Sequence, residues 1–130
     1  MLENKFRGQT ENGQWIYGGV AYYNSIASNR AYIVDHLQLI PVKPDTICQF
    51  TNYCDCNHNE IYEGDIVENE DGERRLVYKI EGGYALGEPP IVESAELYDC
   101  FFTDIIPSYL KVIGNKFDNP DILEAQHERD

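Results

Sequence analysis

Three of the four cysteines, Cys48, Cys54 and Cys56, stand close to His58 in the stretch CQFTNYCDCNH. Thiolate sulfur and imidazole nitrogen are the donors a tetrahedral zinc ion takes. The spacing argues against that use. A zinc knuckle presents two ligands across a short turn of several residues, whereas Asp55 alone separates Cys54 from Cys56 and no second pair matches them. The simpler reading puts Cys48 in a strand core as a small hydrophobe and leaves Cys54, Cys56 and His58 on an exposed turn. Asp55, Asn57 and Asn59 in the same turn reproduce the first three oxygen positions of an EF-hand calcium loop. The glycine and the bidentate glutamate that such a loop requires are replaced by Glu60 and Ile66, and Asp and Asn are favoured in turns on other grounds. No metal and no cofactor is expected.

A second group, Glu63, Asp65, Glu68, Glu70 and Asp71, could supply paired carboxylates for acid and base catalysis, which needs a cleft that drives their pKa values apart. In so acidic a chain a solvated rim explains them without chemistry. His36 and His127 fall in an expected loop and at an expected helix end. Neither is accompanied by a nucleophile elbow, a phosphate loop or a dinucleotide fingerprint. The expectation is a protein that is not an enzyme, with no catalytic residue assigned. The ten tyrosines join a broad apolar ring to a polar tip. Most of Tyr17, Tyr22, Tyr23, Tyr53, Tyr62, Tyr84 and Tyr98 are read as lining a small β core, with a minority free to anchor a protein partner.

The elements that hold these groups read as β. KFRGQTENGQWIYGGV, from Lys5 to Val20, has two apolar stretches about Asn12-Gly13, a pair suited to the positive φ angles of a hairpin turn. AYIV and LQLI are short strands broken at Asp35-His36 and closed by Pro41 and Pro44, since proline cannot donate to a central ladder. ICQF precedes the polar turn, Gly64 marks a bend, and a strand begins at Asp65. Turns at Asp71-Gly72 and Gly82-Gly83 separate RRLVYKI and YALG at the spacing of a meander or small barrel. ELYDCFF and SYLKVIGN are further strands. In the latter Tyr109, Lys111 and Ile113 share one face and Leu110 and Val112 the other. Asn119-Pro120-Asp121 offers an N-cap, a first-turn proline and a first-turn acid, so a short terminal helix carrying Ile122, Leu123 and Ala125 is expected to begin there.

A chain of 130 residues fits one domain, with a soft subdivision into 1–44 and 45–130. Ten Lys and Arg against 23 Asp and Glu give a formal charge of −13, which repels a phosphate backbone or an anionic membrane. Neither nucleic acid nor membrane is an expected partner, and base stacking by tyrosines is disfavoured without basic companions. A basic protein would suit the charge, although surplus acid also serves solubility. The cysteines follow no disulfide framework and MLENKFRG is charged where a signal peptide is apolar, so the expected compartment is the cytoplasm. The longest apolar run, IVDHLQLIPV, is interrupted by Asp35, His36 and Gln38 and falls short of a membrane span.

The order of motifs, KFRG and WIYGG, then CQFTN, then NEIYEGDIV, and last KVIGNKFDNPDIL, resembles the YopX family of bacteriophage and prophage proteins. The most specific piece runs from Gln49 to Val67. Within its turn Asn52 and His58 stand where the family pattern has glycine, and Cys54 and Cys56 stand at commonly basic positions, so the Cys and His cluster is not a family feature. The resemblance implies a phage or prophage origin, a mainly β fold with a small SH3-like barrel in the second half, a bacterial host cytoplasm and possible homo-oligomers. It implies no established activity. The expected function is a non-enzymatic accessory protein that binds a host or phage protein. The alternatives are an acidic decoy of a host DNA-binding protein, an oligomeric structural part, and an enzyme with an unrecognised carboxylate or metal site.

Overall fold

Alternating apolar residues punctuated by Gly, Asn and Asp give ten strands among the described residues, which are 5–24, 29–80, 83–87 and 109–122 of a computed structural model. The chain divides after Phe50 into two compact units, 1–50 and 51–130. The division lies within one unbroken strand, so no proline marks it.

In the first unit β1 (Phe6–Gln9), β2 (Trp15–Asn24), β3 (Asn29–Asp35), β4 (Gln38–Val42) and the start of β5 (Cys48–Cys54) form an antiparallel sheet in the order β4-β3-β2-β1-β5. The expected first hairpin is present, but its connection is the longer segment 10–14. Thr10 N–H donates to Gln14 O, and of the Asn12-Gly13 pair Gly13 alone takes a positive φ, 90°. One face of the sheet buries Ala31, Ile33 and Val42, with Phe6, Ile16, Val20 and Ile47 packed against them. Apolar side chains of this size each contribute about 1.5–3 kcal/mol when fully buried. Gly18 is required by close approach, because a Cβ there would lie 2.1 Å from the Val34 carbonyl oxygen. A 3-10 turn at Pro44–Thr46 is fastened to β1 when Gln9 N–H donates to Thr46 Oγ1 at 2.8 Å.

Asp35 pairs with Gln38 across a two-residue turn, His36 and Leu37, both at positive φ. That closing pair sends the backbone groups of alternate residues, Leu39 and Pro41, away from β3. Pro41 was expected to close the strand and instead lies inside it, at the edge of the sheet, where it removes one outward N–H. An edge strand tolerates proline in that position, and the loss of a free donor discourages pairing with another chain.

In the second unit β10 (Lys111–Asn115), β7 (Asp65–Glu68), β8 (Arg74–Ile80) and β9 (Gly83–Gly87) make a four-stranded antiparallel sheet in that order. The short strand β6 (Glu60–Tyr62) precedes β7 across a Glu63-Gly64 turn, with Gly64 at φ 88° as expected. Ile61, Val67, Val77, Tyr84, Leu86 and Leu110 form the core, with Tyr53 and Val112 against it. The alternation expected through SYLKVIGN holds as far as Leu110 and Val112 and then breaks at a bulge between Val112 and Gly114. A helix opens at residues 120–122 as expected, with Ile122 N–H donating to Asn119 O. The Asn119 side chain does not serve as the expected cap, because its Oδ1 accepts the Asn115 N–H. ELYDCFF, Leu123 and Ala125 lie outside the described residues. No helix among the described residues is long and apolar enough to cross a membrane.

Candidate functional site

The turn that carries Cys54, Cys56 and His58 is organised around the carboxylate between them. Asp55 is 4% exposed and spends both oxygens on backbone amides. Oδ1 accepts from Asn57 N at 2.9 Å and Asn59 N at 2.8 Å, and Oδ2 accepts from Val112 N at 2.9 Å. The main chain closes the same turn: Asp55 N–H donates to Asn59 O, and Cys56 N–H reaches Leu110 O at 2.9 Å. Burial pushes the Asp55 pKa up, but the amides of Val112, Asn59 and Asn57 and the Asn59 side chain outweigh it and hold the carboxyl below its ordinary value. The Asp-x-Asn-x-Asn pattern is therefore an Asx-type latch joining the turn to β10, not an oxygen cage for calcium. His58 sits at φ 66° and Asn52 at φ 69°, which explains why the family pattern has glycine at both positions.

Cys48 is buried in β5, its Sγ 3.3 Å from Thr46 O, while Cys54 and Cys56 are exposed. Among the described residues no group of three His, Cys, Asp or Glu side chains is arranged to hold a metal. The acidic row disperses in the same way. Asp65 is buried and its Oδ2 accepts Tyr62 N–H at 2.7 Å, which locks the turn before β7. Glu68 pairs with Arg74 at 3.3 Å, and Glu70 and Asp71 lie on an exposed loop shaped by Asn69 Oδ1. The Tyr84 hydroxyl is pushed up to about 12 by burial and by the charge of Glu63. Asp55, Asp65, Glu68 and Cys48 are thus used by the fold.

The tyrosines separate as expected into a buried set, Tyr62 and Tyr84, and an exposed set that includes Tyr17 and Tyr22. Tyr17 belongs to a surface that sequence reading missed. Cross-strand register places Gly19 beside Val34 and Val34 beside Leu39, and in the next row Ala21 beside Tyr32 and Tyr32 beside Pro41. All six point away from the core face, with Val34 37%, Leu39 59% and Tyr17 46% exposed. At the tip of the hairpin Leu37 is 99% exposed at φ 69°. The outward face of β2–β4 is thus an apolar strip, while the same face of β1 buries Arg7, whose guanidinium lies 4.7 Å from the Trp15 ring. The alternation in AYIV and LQLI held this information, since both phases of the alternation are apolar there.

With the strands and turns in place, the comparison with known proteins is decisive for the family. The profile described as YopX protein matches residues 5–124. The chain belongs to the YopX family. Among solved structures, protein EF1440 from Enterococcus faecalis aligns with a TM-score of 0.54 at 19% identity, covering 95% of this chain and 99% of that one. That likeness is one of fold. No curated protein matches. Three positions of the family motif take a positive φ: Asn52 and His58, where the pattern has glycine, and Gly64, which this chain keeps.

Proposed function

We propose that this YopX chain is a non-enzymatic protein-binding module of phage or prophage origin, acting in the bacterial cytoplasm, with a small SH3-like barrel in its second half. The observation that carries the reading is the exposed apolar strip on β2–β4, a contiguous surface of the kind that marks a protein contact. The chemistry-bearing side chains support it from the other side, because Asp55, Asp65 and Cys48 are committed to turns and core. The test is an affinity capture from host lysate with the wild type and with a Val34→Lys/Leu39→Lys variant as baits. A partner retained by the wild type and lost by the variant supports the reading, and identical captures contradict it.

The charge distribution favours a second reading, the acidic decoy. Residues 1–50 carry four basic side chains (Lys5, Arg7, Arg30, Lys43) against four acidic ones (Glu3, Glu11, Asp35, Asp45), so the whole charge of −13 belongs to residues 51–130. A basic DNA-binding partner would be drawn to the second unit. Such a complex would weaken steeply with salt and be displaced by duplex DNA.

A further inference from the structure

We infer that Cys54 and Cys56 form a reversible redox site: hydrogen peroxide oxidises the pair to a disulfide, and closing that bond disengages the Asp55 latch between them from β10. Cys48 is buried in β5 with its Sγ 3.3 Å from Thr46 O, whereas Cys54 and Cys56 both face solvent. They stand at positions that are commonly basic in the family pattern, so the turn itself does not call for sulfur there. Strand alternation turns Cys54 outward as Asp55 turns inward, and Cys56 follows on the exposed side of the turn. Two thiolates are too few for the four-coordinate site of a zinc ion, and no third side chain among the described residues completes one. A neighbouring pair of solvent-accessible thiols, one to be oxidised and one to resolve it, is the arrangement of a redox sensor.

Covalent geometry couples that bond to the latch. An extended chain advances about 3.3–3.6 Å per residue, so Cα atoms two residues apart are separated by at most about 7 Å. A disulfide takes roughly 4.4–6.8 Å, so the bond is in reach when the backbone contracts at Asp55. Asp55 is where the turn is pinned: its N–H donates to Asn59 O at 2.8 Å, its carbonyl accepts His58 N–H at 3.0 Å, and its carboxylate holds the amides of Asn57, Asn59 and Val112. Disulfide and latch therefore compete for one residue. A bond formed against that resistance is strained, and strained, exposed disulfides are the readily reduced, regulatory ones. In a reducing compartment the dithiol is the resting form and the disulfide is transient. The chemistry balances without a cofactor. One thiolate attacks the peroxide O–O bond, becomes a sulfenic acid and releases water; the other displaces the sulfenic hydroxyl as a second water, and the two electrons lost by sulfur reduce the peroxide. Because the whole charge of −13 belongs to residues 51–130, anionic oxidants such as glutathione disulfide are repelled, whereas uncharged hydrogen peroxide is not.

Hydrogen peroxide treatment of the full chain, followed by mass-spectrometric mapping of the cysteines and by amide hydrogen exchange, tests the site. The wild type should lose two hydrogens between Cys54 and Cys56. Exchange at the Asn57, Asn59 and Val112 amides should then quicken at least about tenfold as the carboxylate lets go, and dithiothreitol should reverse both changes. Cys54→Ser and Cys56→Ser alter exposed side chains and keep the fold. With one thiol removed no ring closes, so peroxide should leave Val112 exchange unchanged in either variant and carry the remaining thiol on to sulfinic acid. A wild type that stays unmodified, that forms sulfinic acid, or that bonds Cys48 or Cys100 instead overturns the inference. So does a Cys54–Cys56 disulfide that leaves exchange at Val112 as it was.

Discussion

Asp55 shows how a residue that looks like a ligand can be a fastener. Its carboxylate receives three amide hydrogen bonds, one of them from Val112, 57 residues away in sequence. Removing it in Asp55→Ala leaves those donors without their acceptor, at a cost of about 3 kcal/mol in chemical denaturation, because amide bonds to a charged group are among the stronger ones. The pH dependence has a definite sign. The folded-state pKa lies below the unfolded value, so the stabilisation is fully present above the ordinary carboxylate range and is lost as pH falls through the lowered native value. Denaturation followed from about pH 5 downward should show a smaller loss of stability for Asp55→Asn than for the wild type. His58 offers the opposite test in the same turn. It is exposed at φ 66°, and relieving the left-handed strain with His58→Gly should stabilise the protein by about 0.5–1 kcal/mol, read from the urea midpoint.

The β2 strand shows what the order of elements asks of adjacent residues. Gly18 and Gly19 look equivalent in WIYGGV, yet they face opposite sides of the sheet. Gly18→Ala places a methyl against the Val34 backbone, which cannot swing aside, and should cost about 3 kcal/mol. Gly19→Ala meets open space and should change stability by less than about 0.5 kcal/mol. Thermal melts of the two variants side by side check the pair. Such distinctions set the limit of the sequence reading. Turns at Gly13, Gly64 and Gly72 were legible because each needs a positive φ that glycine supplies. The His36-Leu37 turn was legible only as a break, since leucine carries no turn signal. Pro41 was misplaced because an edge strand accepts what a central one refuses, and edge position depends on sheet order rather than local sequence. The Asp55 latch was hidden by distance, its third donor lying on β10.

For the whole molecule, fold and function part company at the surface. The two cores follow from alternation, but the strip on β2–β4 emerges only once register aligns Gly19, Val34 and Leu39 across three strands. A chain whose acidic excess lies in residues 51–130 then has, in residues 1–50, a charge-balanced unit with an apolar face. The most direct test of that face as the contact surface is two-dimensional amide NMR of the full chain, free and with the partner captured from host lysate. The account predicts binding shifts confined to β2, β3, β4 and the Leu37 turn. Shifts confined to residues 51–130 on adding that partner would contradict it.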